Sequence, residues 1–322
     1  MTLKSWETER EAVKLILALL DEQLSEMDFD KTYLNKVKVH KILYNTIEEL
    51  DLDITRSWYK RGCFVWSCRG LDALFLQARF TLDMINPDII SIMPPKDEII
   101  RAIKSSLQKY RILFRRLHAY LEELYEKDAP EEFREIYTSN LAFKERYKEF
   151  IEEARSKFGV SLETFLGEIA PPVTSEYVSS AITKLHLALS SVESVADVVI
   201  DYTMLFEELL IGVEEKLKKN ELSPEHVDFI EKMFEYYDNK VWELPAKIIT
   251  DKTIKGANKE VILKKLNAKF PNLVEEVEFK REEFETKALE MDLFPSESYL
   301  AERIDVNDAA KAYSRFMTKH TI

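Results

Sequence analysis

Three sets of residues in this sequence have the types and spacing for chemistry. Arg111 and His118 form an Arg-x6-His pattern. Histidine titrates near neutrality and arginine stays charged, so such a pair can clamp a phosphate while supplying a general acid or base. Glu193, Asp197 and Asp201 recur every four residues and predict a carboxylate column along one helix face. Facing columns of that kind hold magnesium diphosphate, but the sequence offers no convincing second column, which leaves a solvated face as the other reading. Cys63 and Cys68 have four residues between them and no second pair, a spacing that fits buried thiols better than a zinc site. Glycine-rich phosphate loops, G-x-S-x-G elbows and H-E-x-x-H helices are all missing from the sequence.

Charge is distributed unevenly. The 322-residue chain carries a formal charge of −13, yet residues 56–118 hold 12 Lys or Arg against five Asp or Glu. A basic island in an acidic protein is a candidate surface for phosphates or an acidic partner. Within it, Arg56-Ser57-Trp58-Tyr59-Lys60-Arg61-Gly62-Cys63-Phe64-Val65-Trp66 interleaves cations with rings, the pattern of a single-strand binder. Lys104, Gln108, Arg111, Arg115 and His118 fall along the flank of one predicted helix. The competing reading is that the island is neutralised by the chain's own acids and that Trp58, Phe64 and Trp66 are core.

The elements that position these residues read as helices. Six glycines, where average usage gives about 22, leave little capacity for the positive-φ turns of hairpin-rich or βαβ folds. Apolar residues at helical spacing predict helices over Thr8–Met27, with a Thr8/Glu11 capping box, and from Asp30 or Thr32 to Leu50. Further helices are predicted over Phe64–Met84, Lys96–Lys127, Pro130–Phe158 and Ser175–Lys219, then from Ser223, over Asn258–Lys269, Asn272–Glu290 and Asp305–Lys319. Lys96–Lys127 carries the seam Ile103, Leu107, Tyr110, Phe114, Leu117, Leu121 and Leu124, in steps of four and three. Ser175–Lys219 sustains a heptad pattern, with a kink expected near Ser190-Ser191 or Gly212. Leu244–Ala257 and Met291–Pro295 read as linkers.

The fold class expected is all-α, a multi-helix bundle in two parts: residues 1–128 with the basic island and residues 129–322 as an acidic bundle. Two cysteines and the absence of a transmembrane-length apolar run point to a reducing interior, the cytoplasm. Many charges with Gln only at Gln23, Gln77 and Gln108 match the bias of thermophilic proteins.

One fragment, residues 36–62, carries a family resemblance. Lys38-Val39-His40-Lys41-Ile42-Leu43-Tyr44 followed by Trp58-Tyr59-Lys60-Arg61-Gly62 resembles the opening of Panacea (SocA-like antitoxin) domains. Those carry a Lys-aliphatic-x-Lys-Leu-Leu-Tyr helix and a downstream aromatic-Gly-Pro segment; here Cys63 stands where the proline would be. The resemblance implies a non-catalytic regulatory or toxin-neutralising module. The functional expectation is therefore a non-enzymatic interaction protein without a cofactor. It would bind a protein partner or an anionic ligand through Arg56, Trp58, Lys60, Arg61, Trp66, Lys104, Arg111 and Arg115. The heptad seams make a homodimer a further expectation. The alternative is a nucleic-acid binder acting through residues 56–118, or a ribonuclease resembling the HEPN type with Arg111 and His118 as its catalytic pair.

Overall fold

The computed structural model describes residues 5–156 and 174–303. Among them the protein is all-α apart from one two-stranded hairpin. The described chain divides into two compact units, one formed by residues 1–141, 191–193 and 242–273, the other by residues 142–190, 194–241 and 274–322. Residues 242–273, which the sequence pattern groups with the acidic bundle, thus cluster with the basic part.

In the first unit, α1 (Trp6–Glu26) starts at Ser5, whose hydroxyl accepts the Thr8 amide; the cap lies three residues before the expected one. Asp30 caps a short 3₁₀ turn, and Asn35 caps α2 (Lys36–Glu49). Then come strands β1 (Arg56–Tyr59) and β2 (Gly62–Val65), α3 (Leu71–Gln77), α4 (Pro87–Ile92), α5 (Lys96–Gln108) and α6 (Leu117–Asp128). Helix α2 packs on α5, placing Val39, Leu43, Ile47, Ile99 and Ile103 in the core.

Two local expectations change. The Phe64–Met84 helix is instead a strand, a 3₁₀ turn and the short α3. The β-branched and aromatic residues around Trp58 pair across a two-residue turn, with Trp58 opposite Cys63 and Tyr59 opposite Gly62. Gly62 takes the chain out of that turn into β2: its φ is +79°, and an added Cβ would lie 2.9 Å from the Tyr125 ring. The linker expected over Leu244–Ala257 is mostly helix α11 (Glu243–Thr253), which packs on β1. Pro245 is tolerated because it sits in the first turn, where its missing N–H is not needed.

The second unit contains most of α7 (Arg134–Ser156), α8 (Ser175–Ala188), α9 (Glu193–Lys219), α10 (Pro224–Tyr236) and the end of α12 (Lys259–Glu290). The kink expected near Ser190 is present as a 3₁₀ turn at Leu189–Val192 between α8 and α9. The heptad residues Val178, Ile182, Leu185, Val199, Phe206, Leu210 and Val213 are buried on both sides of it. Rings of Phe143, Tyr147, Phe206, Phe234 and Tyr237 fill this core, with Tyr147 stacked on Phe234 at 3.8 Å. Gly212 allows the Leu293 carbonyl to approach α9; a Cβ would fall 1.7 Å from that oxygen. Beyond it, Glu214 accepts from Ser175, Tyr299 and Arg303, and Glu215 accepts from the Ser296 amide. Burial opposes the charge of Glu214, yet Lys218, Ser175 and Arg303 outweigh it and hold the carboxyl down at about 2. The two helices expected either side of Pro271 are one, α12, with the proline inside it. The Asp305–Lys319 expectation lies outside the described residues.

Candidate functional site

The hairpin is not a surface platform. Arg56 is 6% exposed, donates to Glu48 at 2.5 Å, and satisfies the Leu52 and Ile54 carbonyls at 2.9 Å each. Trp58 and Trp66 are buried. Trp58 lies 5.3 Å from the Tyr137 ring, and Trp66 packs between Tyr59 and Phe64 and donates its indole N–H to Ser57. Lys60 pairs with Glu243 at 2.6 Å. Arg61 is exposed at the turn. The expectation of stacking-capable rings at this surface is therefore corrected: the hydrophobic gain from burying two tryptophans and the neutralisation of Arg56 by Glu48 draw the segment inward.

The helix that carries the motif residues of α2 ties this hairpin down. Lys41, 1% exposed, donates to the Arg61 and Cys63 carbonyls, the latter at 2.7 Å, and burial pushes its ammonium down to about 8. Lys38 donates to the Arg115 carbonyl at 3.0 Å. His40 stacks on Phe64, accepts the Val65 amide at Nδ1, and faces Asp72 with Nε2 at 3.6 Å. Cys63 and Cys68 are buried free thiols, and burial raises Cys63 to about 11, which suppresses its nucleophilic form.

The predicted Lys96–Lys127 helix breaks between α5 and α6. Tyr110 and Arg111 adopt positive φ, 51° and 54°. Each such residue costs about 1 kcal/mol. Local contacts oppose that cost: Lys109 pairs with Asp128 at 2.6 Å, and the Tyr110 hydroxyl donates to the same carboxylate at 2.8 Å. Ile112 (0% exposed) and Leu113 (5%) are both buried at the break. Phe114, predicted inward, is turned outward and is 70% exposed. The signal was present in the consecutive Ile112-Leu113-Phe114, since three adjacent apolar residues cannot share one helical seam.

This break decides the fate of the other predicted residues. Arg111 sits on the turn while His118 is the second residue of α6, so the shared helical face required for an Arg–His catalytic pair is not formed. Arg115 pairs with Glu123. Lys104 and Arg111, in contrast, are exposed and have no carboxylate within ion-pairing distance among the described residues. Together with Gln108 they border a pocket of about 360 Å³ whose apolar wall is Met27, Leu107, Leu113 and Phe114. An aromatic ridge continues from it, Phe114 to Phe29 to Tyr33, with centroids 6.2 Å apart at each step. Tyr33 is 71% exposed. Two unpaired cations, an amide and exposed rings around an apolar hollow can bind an anionic group joined to an apolar one.

The carboxylate column remains on the surface of α9, with Glu193, Asp197 and Asp201 exposed. Among the described residues no three His, Cys, Asp or Glu side chains gather as metal ligands. Nor is any described helix long and apolar enough to cross a membrane.

These features define an all-α protein built on two helical units, with one internal hairpin and a basic, apolar corner at the α5–α6 break. The chain belongs to the family described as Domain of unknown function (DUF8098), whose sequence profile matches residues 1–317. No curated protein and no solved structure matches it.

Proposed function

We propose that the protein is a non-enzymatic interaction and regulatory module that binds an acidic protein partner at the α5–α6 corner. The observation that carries this reading is the pairing of Lys104 and Arg111, which meet no carboxylate among the described residues, with the pocket walled by Leu107, Leu113 and the exposed Phe114. Cations with no internal partner at the rim of an apolar hollow favour an amphipathic acidic segment, with an apolar anchor in the pocket and carboxylates on the rim. The strained backbone at Tyr110 and Arg111 holds the guanidinium at the rim before any partner arrives, which lowers the ordering cost of binding.

The regulatory part of the reading rests on the Panacea-like resemblance. It is supported by the close union of both halves of the motif, since Lys41 of α2 is hydrogen-bonded to the carbonyls flanking Gly62. In this reading the motif is a brace that supports the neighbouring corner through Lys38 and the Arg115 carbonyl.

The test is a titration of the full chain with a fluorescent amphipathic helix bearing Leu on one face and Glu on the other. Binding should weaken by about tenfold or more in a Lys104→Glu, Arg111→Glu double variant of unchanged melting temperature. The same helix with Lys for Glu should not bind. Equal binding by the wild type and the double variant, or tighter binding of single-stranded oligouridylate than of the acidic helix, would overturn the reading.

A further inference from the structure

The second unit carries a surface of opposite character. Asp201, Met204, Glu207, Glu208 and Ile211 on α9 border a depression of about 540 Å³. On its α12 side, Glu285 is engaged by Arg281 at 3.1 Å. Asp201, Glu207 and Glu208 have no cation within ion-pairing distance among the described residues. Met204, between them, is 55% exposed. Its spacing from Asp201, Glu208 and Ile211, in steps of three and four, keeps these side chains on one helix face.

The two patches are complementary in charge. The corner has two unpaired cations and a protruding phenyl ring. The groove has three unpaired carboxylates around a thioether and an isoleucine. Solvating five unpaired charges beside large exposed apolar groups is the state that association relieves, because apolar contact excludes water and charges of opposite sign fix the register. A methionine against an aromatic ring adds a favourable sulfur–ring contact.

We propose that the occupant of the corner is a second copy of this chain, with Lys104, Arg111 and Phe114 of one copy docked on Asp201, Met204, Glu207 and Glu208 of the next. This rests on the reading of the corner as a docking surface and names its partner. The contact joins two different patches, so it is heterologous: it closes into a ring if the rotation between copies permits and otherwise extends as a chain. At −13 per chain, copies repel at long range, and salt acts both on that repulsion and on the local attraction. Charge exchange is therefore a cleaner probe than ionic strength.

Sedimentation velocity on the full chain at rising concentration should show reversible association. Lys104→Glu with Arg111→Glu should sediment as a monomer, and so should Glu207→Lys with Glu208→Lys. Circular dichroism melts report whether each variant is folded. An equimolar mixture of the two variants should associate, since one keeps an intact groove and the other an intact corner. A chain carrying all four substitutions should associate with itself again. A wild type that stays monomeric throughout, variants that associate as well as wild type, or a mixture of two folded monomeric variants that fails to associate would each overturn the proposal. If the wild type is monomeric but still binds the acidic helix through Lys104 and Arg111, the docking corner stands and only its identification with a second copy fails.

Discussion

The β1–β2 hairpin and the α5–α6 corner contain the same ingredients, cations next to aromatic rings on a tight turn, and the protein uses them in opposite ways. In the hairpin, Arg56 and Lys60 meet Glu48 and Glu243, and Trp58 and Trp66 are sealed in the core. At the corner, Lys104 and Arg111 meet no carboxylate among the described residues, and Phe114 and Tyr33 face solvent. Composition alone does not separate an interior brace from a docking surface. What separates them is whether an acid from another element reaches the cation, and that is a property of tertiary packing.

Truncating one ring in each region is the strongest way to break the comparison. Trp58→Ala removes a buried side chain that contacts the Tyr125 and Tyr137 rings and should cost about 3–5 kcal/mol in urea unfolding. Phe114→Ala, at 70% exposure, should change stability by no more than about 0.5 kcal/mol while weakening the binding of the acidic helix. Comparable destabilisation by the two substitutions would show that the corner is as much a part of the core as the hairpin.

The fold class was legible because helical periodicity and scarce glycine act locally. Val39, Leu43 and Ile47 recur at helical spacing and are buried in α2 as expected. What was not legible depended on distant partners. Nothing near Arg56 announces that Glu48 will neutralise it, and nothing near Glu9 announces that it will be fully buried, accepting from Thr55 and Asn258. The break after Gln108 escaped a period count because Leu107 and Tyr110 keep the seam's spacing through the residues that leave the helix. Of the eight cationic and aromatic residues selected for the surface, Lys104 and Arg111 are the two that the geometry gathers around a pocket. Of that pocket's apolar wall, Leu107, Leu113 and Phe114 are sequence neighbours of the two cations, whereas Met27 comes from the C-terminal end of α1, which sequence spacing does not bring to them.

A difference in acid sensitivity sharpens the contrast between the regions. Burial lowers the affinity of His40 for a proton, with the Asp72 carboxylate acting in the opposite direction. The unfolded chain protonates this histidine near the ordinary value of about 6.5, whereas the folded protein resists until lower pH. Between those two points the unfolded state binds more protons, so stability must fall as pH falls. His186 and His226 are shifted the same way, also by burial, so the comparison requires a His40→Gln variant. Urea midpoints from pH 7 to pH 5 should drop less in that variant than in the wild type. An NMR titration of the His40 ring should place its folded midpoint below that of an unfolded control; a midpoint above it would reverse the sign and refute the account.

The smallest effect tests whether the corner's backbone is strained for a purpose. Arg111 holds φ at 54° with its side chain exposed, and its guanidinium has no carboxylate within ion-pairing distance among the described residues. Arg111→Gly removes the steric cost of that conformation and should raise stability by at most about 1 kcal/mol, because glycine also adds freedom to the unfolded chain. The same variant removes a rim cation and should bind the acidic helix more weakly. A third variant, Arg111→Asn, keeps a residue that tolerates the left-handed region but carries no charge. If stability rises with glycine while binding falls equally for glycine and asparagine, the strain serves to position a charge at the pocket rim. If neither variant affects binding, the left-handed pair at Tyr110 and Arg111 exists to bury Ile112 and Leu113, and the guanidinium above them is incidental.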